Sequence, residues 1–147
     1  MIGGQEYDGT VGAVPSQTDF LDMNEPSKPA GAVTPEQAEQ LSRDGEAILI
    51  DIRGPDEWAQ SGLAEGALAI SVHEPGFVER LNEAMGGDLS RPTMPICSTG
   101  GRSGQVVRQL RQMGYDGIID VPEGMFGNYY GPGWIGAGLP VKPYKSE

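Results

Sequence analysis

An α/β domain with a mostly parallel central sheet and helices on both faces is the fold class this sequence predicts, and three observations predict it. Ala47-Ile48-Leu49-Ile50-Asp51-Ile52 is an apolar run broken only near its end, the pattern of a strand covered on both faces. Amphipathic helical stripes alternate with such runs at the spacing of strand–helix–strand units. The 147 residues suit one compact domain, and a hydrophobic content of 37% supports one core while leaving room for segments outside it.

Residues 1–33 are rich in Gly, Pro, Asp and Glu and show no useful periodicity, so they are expected to form a flexible N-terminal arm. Phe20, Leu21 and Met23 form an isolated apolar triplet in it, a docking segment if the arm has a partner. The domain is expected over residues 34–143, with 144–147 a short tail. Thr34 can cap a helix over about 35 to 43, with Pro35 at its first position, Gln37 completing a capping box and Gly45 just past its end. The run from Ala47 is the first strand. Arg53-Gly54-Pro55 turns the chain into a short helix around Asp56–Gln60 that Gly62 closes, and Leu68–Val72 is a weaker strand. Phe77, Val78, Leu81 and Met85 share one helical stripe that Gly86-Gly87 ends. Thr93–Cys97 is the next strand, short or bulged because Pro95 donates no ladder hydrogen bond. A helix from about Ser103 buries Val106, Val107, Leu110 and Met113 and stops at Gly114, and Ile118–Val121 returns as a strand. From Pro122 on, glycine and proline exclude helix and strand until Leu139-Pro140-Val141. Phe126, Tyr129, Tyr130 and Trp134 favour packing there, beside the loop that follows Cys97.

Composition narrows the functional classes. Ten basic residues against 21 acidic ones give a formal charge of −11, which opposes nucleic-acid binding. One cysteine and one histidine, His73, complete no metal cluster and no internal disulfide. No apolar run approaches the roughly 20 residues that span a bilayer. The N-terminus lacks a signal peptide's basic and apolar regions, so a cytoplasmic location is expected, and a processed exported form would read the same way.

Chemistry concentrates at Cys97-Ser98-Thr99-Gly100-Gly101-Arg102-Ser103. A strand, a tight loop and a helix start place the cysteine at the carboxyl end of a strand, where ligands of such sheets bind. If the loop curls round the helix start, its N–H groups form an anion cradle, with Gly100 and Gly101 allowing close approach or positive φ. The helix N-terminus and Arg102 both favour thiolate over thiol. Gly100-Gly101-Arg102-Ser103-Gly104 lacks the lysine and spacing of a P-loop and the Gly-x-Gly-x-x-Gly of a dinucleotide site. No cofactor is expected.

Four separated segments together resemble the rhodanese family of sulfurtransferases. Asp51-Ile52-Arg53 followed by Glu57-Trp58 is similar to the family's first signature, and Gly62–Ala67 to its Gly-His-Ile-x-Gly-Ala segment. Cys97–Ser103 resembles the active loop Cys-x-x-Gly-x-Arg-Ser, and Glu123-Gly124 through Trp134 to Gly138-Leu139-Pro140 the closing motif. Three departures stand out: Leu63 replaces the usual histidine, Pro95 interrupts the apolar strand before the cysteine, and the segment from Gly124 to Trp134 is longer than usual. The resemblance implies that Cys97 accepts sulfur and that the amides from Ser98 to Ser103 surround the persulfide. It implies that Arg102 holds the anionic donor or rigidifies the loop, and that Asp51, Arg53 and Glu57 are structural supports. His73 falls outside the matched segments and is expected on the surface.

The expected activity is transfer of sulfane sulfur from thiosulfate or a similar small anionic donor through a persulfide on Cys97. No second cysteine can resolve that persulfide internally, so the acceptor is cyanide, an external thiol or a partner protein's cysteine. Two alternatives are a persulfide carrier or sensing module, and phosphatase or arsenate reductase chemistry. Four residues separate Cys97 from Arg102, one fewer than in the phosphatase-type loop, and the larger ring is what admits a tetrahedral oxyanion.

Overall fold

The computed structural model describes residues 31–145. The expected arm lies outside them except for residues 31–33, and so do Phe20, Leu21, Met23 and the last two residues of the expected tail. Residues 31–33 are packed: Val33 is buried, its N–H donates to Asp120 O at 2.9 Å, and Asp120 N–H donates to Gly31 O at 2.9 Å.

The first helix, α1 (Pro35–Arg43), starts where a capping box satisfies its free amides. Thr34 Oγ1 accepts from Gln37 N–H at 3.1 Å, and Gln37 Oε1 accepts from Thr34 N–H at 2.9 Å. β1 (Ile48–Asp51) is the middle of a three-stranded parallel sheet, with β3 (Leu68–Ala69) on one side and β4 (Thr93–Ile96) on the other. The β3 ladder continues past its assigned end, since Ile70 N–H donates to Asp51 O and Val72 N–H to Ile52 O.

Alternation along the strands sorts the core into two faces. Leu49, Met94 and Ile96 pack with Ala38 of α1 and Trp134 of α5 (Gly133–Gly136). Ile50, Ile52 and Cys97 pack on the other face with Leu81 of α3 (Phe77–Ala84) and Val106, Val107 and Leu110 of α4 (Gly101–Gln112). Helices therefore cover both faces, and each fully buried Leu or Ile contributes about 1.5–3 kcal/mol through its apolar area.

Four features differ from expectation, the simplest being that Met113, expected on the buried side of its helix, is exposed. The strand expected over Ile118–Val121 is reduced to isolated bridges, Thr93 with Ile118 and Ala32 with Asp120. Thr93 faces this segment, donating to Gly117 O and accepting from Ile119 N–H, so Pro95, two residues on, faces it too and has no N–H to extend the ladder. On its β1 side, β4 is in unbroken register without a bulge. A second small sheet pairs β2 (Leu63–Ala64) antiparallel with β5 (Val141–Lys142). The segment expected to hold no helix before Leu139 contains the single turn α5, and Trp134 there is fully buried.

The short helix α2 (Pro55–Ser61) follows β1 and buries Trp58, which meets Tyr144 edge to face at 5.1 Å. Among the described residues no helix is long and apolar enough to cross a membrane.

Candidate active site

β4 ends at Ile96, and the chain turns through Cys97–Gly100 directly into α4, which begins at Gly101, two residues before the expected start. Gly100 makes that turn. It has φ of +97°, and a Cβ there would stand 2.1 Å from Pro122 O, so no other residue fits the turn without moving it. Gly101 is already helical and has nothing within 4 Å of a Cβ position; the conformational need expected of both glycines falls on Gly100 alone.

Cys97 is buried among side chains of the α4 face, 1% exposed. Its Sγ accepts from Gly100 N–H at 3.2 Å and from Ser103 N–H at 3.3 Å. The second donor is one of the four amides that a helix start leaves without an intrahelical partner. Two amides of the expected cradle therefore reach the sulfur, while Ser98, Thr99, Gly101 and Arg102 shape the loop around it. On its far side the loop rests on the segment after Val121: Met125 N–H donates to Cys97 O, Phe126 N–H to Ser98 O, and Asn128 Nδ2 to Thr99 O at 2.7 Å. Gly124 permits this approach, since a Cβ there would lie 2.5 Å from Ser98 O.

Arg102 sits in the first turn of α4, where the helix dipole disfavours a cation. It is compensated by Glu57 of α2, which accepts from Arg102 Nη1 and Nη2 at 2.8 Å each, from Ser98 Oγ–H at 2.9 Å and from Gly54 N–H at 3.1 Å. The Arg102 guanidinium holds the Glu57 carboxyl down to about 2, helped by Gly54 N–H and the Ser98 hydroxyl and opposed by burial. The same pairing raises Arg102. The positive charge expected to act on the sulfur is thus largely engaged in bracing the loop. Arg102 Nη1 also lies 2.9 Å from His73 Nε2. Arginine only donates, so in this contact His73 Nε2 is the acceptor.

The sign of the pH effect follows. The Glu57 carboxylate is favoured in the fold, so its contribution is full above about 4.5, its ordinary value, and is lost as pH falls toward about 2. Glu57→Gln is expected to lower stability at neutral pH by about 1–2 kcal/mol. In urea unfolding at a series of pH values, the gap from wild type should close over that acid window; a gap constant with pH would contradict the pairing.

Asp51 and Arg53 stand beneath this layer. Arg53 Nε donates to Asp51 Oδ1 at 2.9 Å, Arg53 Nη2 to Asp51 Oδ2 at 2.8 Å, and the guanidinium also reaches Ser61 Oγ and Gly62 O at 3.0 Å each. Both side chains are fully buried. They tie the end of β1 to the end of α2, the helix that carries Glu57.

Sequence reasoning missed three contributors. His73 is on the surface as expected but reaches Arg102; its signal was its place just past the β3 end. Asp120 accepts from Ser103 Oγ–H at 2.9 Å, and its signal was being the one polar residue in Ile118–Val121. Asn128 carried no signal. Of the four aromatics expected to pack, Trp134 is core, donating from Nε1 to Pro140 O, whereas Phe126 is exposed and Tyr129 and Tyr130 are exposed on a tight turn closed by Asn128 and Gly131.

Residues 34–128 match the Rhodanese-like domain family. The chain is 30% identical over 115 residues to an uncharacterised protein of Synechocystis, covering 78% of this chain and 57% of that protein, so it spans little more than half that relative's length. It is 27% identical over 110 residues to the thiosulfate sulfurtransferase GlpE of Actinobacillus succinogenes, covering 75% and 88%. Among solved structures, Rv0390 from M. tuberculosis gives a TM-score of 0.62 at 26% identity over 78% of this chain and 98% of that one. The polysulfide-sulfur transferase homodimer of Wolinella succinogenes gives 0.60 at 24% identity over 85% and 88%, a likeness of fold alone.

Proposed function

Because the chain belongs to the rhodanese-like domain family, we propose that it is a sulfurtransferase in which Cys97 carries sulfane sulfur as a persulfide. The observation that carries this reading is the pair of amides, from Gly100 and Ser103, converging on one sulfur atom. Two N–H donors favour an anionic sulfur, both as the attacking thiolate and as the terminal sulfur of a persulfide. The Cys97 thiolate attacks the outer sulfur of thiosulfate or a similar donor; the new S–S bond forms as the donor's S–S bond breaks, and sulfite leaves with the electron pair. An acceptor nucleophile then takes the outer sulfur and returns Cys97 to its thiolate, a two-step covalent cycle. Cys97 is this chain's only cysteine, so the acceptor is external: cyanide, a small thiol or a partner protein's cysteine.

Its depth in the loop supports a donor that presents a single projecting atom. Four residues separate Cys97 from Arg102, one fewer than in the larger loop that admits a tetrahedral oxyanion. Incubation with thiosulfate is expected to add the mass of one sulfur atom to the intact chain, reversibly on adding cyanide. Cys97→Ala should abolish the adduct, and an adduct that survives this replacement, or none on the wild type, would overturn the assignment.

A further inference from the structure

Asp120 takes no part in the sulfur chemistry above, yet its half-buried carboxylate is bound to that chemistry's scaffold. It accepts the Ser103 hydroxyl at 2.9 Å, and the same hydroxyl lies 3.3 Å from Gly100 O. A hydroxyl has one proton, so the nearer acceptor, Asp120 Oδ1, takes most of it and Gly100 O shares the remainder. Ser103 and Gly100 are the two residues whose amides hold Cys97 Sγ. One hydroxyl therefore ties both donors to one carboxylate.

The carboxylate is in turn fixed from outside the loop. Asp120 N–H donates to Gly31 O and Asp120 O accepts from Val33 N–H, each at 2.9 Å. The charged groups facing it are Arg108 and Arg111, both on α4, and Arg111 also donates to Gly31 O and Ile118 O. Burial pushes the Asp120 carboxyl up, against the Ser103 hydroxyl, Val121 N–H and the two arginines.

We propose that Asp120 is a positioning residue for the Cys97 sulfur: acting through the Ser103 hydroxyl, it sets where the Gly100 and Ser103 amides meet that sulfur. Without the acceptor, Ser103 is free to turn its hydroxyl elsewhere, and a displacement of a few tenths of an ångström weakens both hydrogen bonds to Sγ. Only the second readout of the test below rests on Cys97 being a sulfur acceptor.

The experiment compares wild type with Asp120→Ala, Asp120→Asn, Ser103→Ala and the double variant Asp120→Ala with Ser103→Ala. The first readout is the pH profile of Cys97 alkylation by iodoacetamide; the second is the rate of sulfur uptake from thiosulfate. Asp120→Ala and Ser103→Ala should each shift the alkylation profile to higher pH, because donors lost from the sulfur disfavour its anion, and each should slow uptake about 10-fold. Asp120→Asn keeps an oxygen acceptor and should restore both readouts. The double variant should be no worse than the more affected single one, because both changes cut the same link.

An Asp120→Ala profile that superimposes on wild type would overturn the proposal, as would effects that multiply in the double variant. A purely structural Asp120 would lower the unfolding temperature and leave the profile in place. Should Asp120→Ala not fold, Asp120→Leu, which keeps the bulk and lacks the acceptor, decides the same point. Should the wild type take up no sulfur from thiosulfate, the proposed function fails while the alkylation profiles still decide the role of Asp120.

Discussion

Replacing Arg53 by methionine is expected to cost the fold about 3–5 kcal/mol, the range for removing one partner of a buried ion pair. The guanidinium is fully buried and supplies both N–H donors to Asp51 as well as those to Ser61 Oγ and Gly62 O. Its loss leaves a carboxylate in the core with one remaining partner, the Arg53 backbone N–H at 3.0 Å. The damage is that uncompensated charge more than lost packing, because methionine refills most of the volume. Adding Asp51→Ala to Arg53→Met should therefore regain part of the stability, a non-additivity that a double-mutant cycle in urea unfolding reads directly. A single variant within about 1 kcal/mol of wild type, or a double variant less stable than the single, would show that the pair carries little of the fold.

Gly100→Ala is expected to remove sulfur uptake by a different route, on the order of 100-fold, the size of effect seen when one preorganised donor is lost from an anion hole. Alanine at φ of +97° is strained by about 1–3 kcal/mol, and its methyl would occupy the place of Pro122 O, 2.1 Å away. The loop relieves the clash by retreating from Pro122, and Gly100 N–H then leaves Cys97 Sγ. The two quantities should separate, with uptake lost far more than stability. Uptake close to the wild-type rate would show that this amide does not serve the sulfur.

The layered fold was legible because periodic signals are long enough to read. The apolar run at β1 and the stripe of Val106, Val107 and Leu110 each span several residues, and both faces of the sheet follow from them. β2 and β5 are two residues each, too short for any period, and their pairing is set by where the chain returns after α5. The expected strand at Ile118–Val121 had the right composition and is left with isolated bridges, because Pro95 ends its ladder with β4; Pro95 was expected to disturb β4 itself, and its effect fell on the neighbour. In the site, Cys97–Ser103 was legible as one contiguous motif, whereas Asp51, Arg53 and Glu57 became legible only through family resemblance. Asp120, His73 and Asn128 reach the loop from 17, 29 and 29 residues away in sequence, and single polar residues at such distances leave no pattern before the fold exists.

Pro95 also guards against misassembly. In the native register its missing N–H points toward Gly117–Val121, where few ladder bonds are made. A slip of β4 by one residue would turn every side chain of the strand over and carry the cysteine to the α1 face, away from the start of α4. The same slip would aim the proline nitrogen at β1, which needs a donor at that point, leaving a buried β1 carbonyl unsatisfied at a cost of about 1–3 kcal/mol. A residue that reads as a flaw in the strand thus acts as a proofreading element for its alignment, penalising a mispairing that would separate the Cys97 sulfur from its two amides.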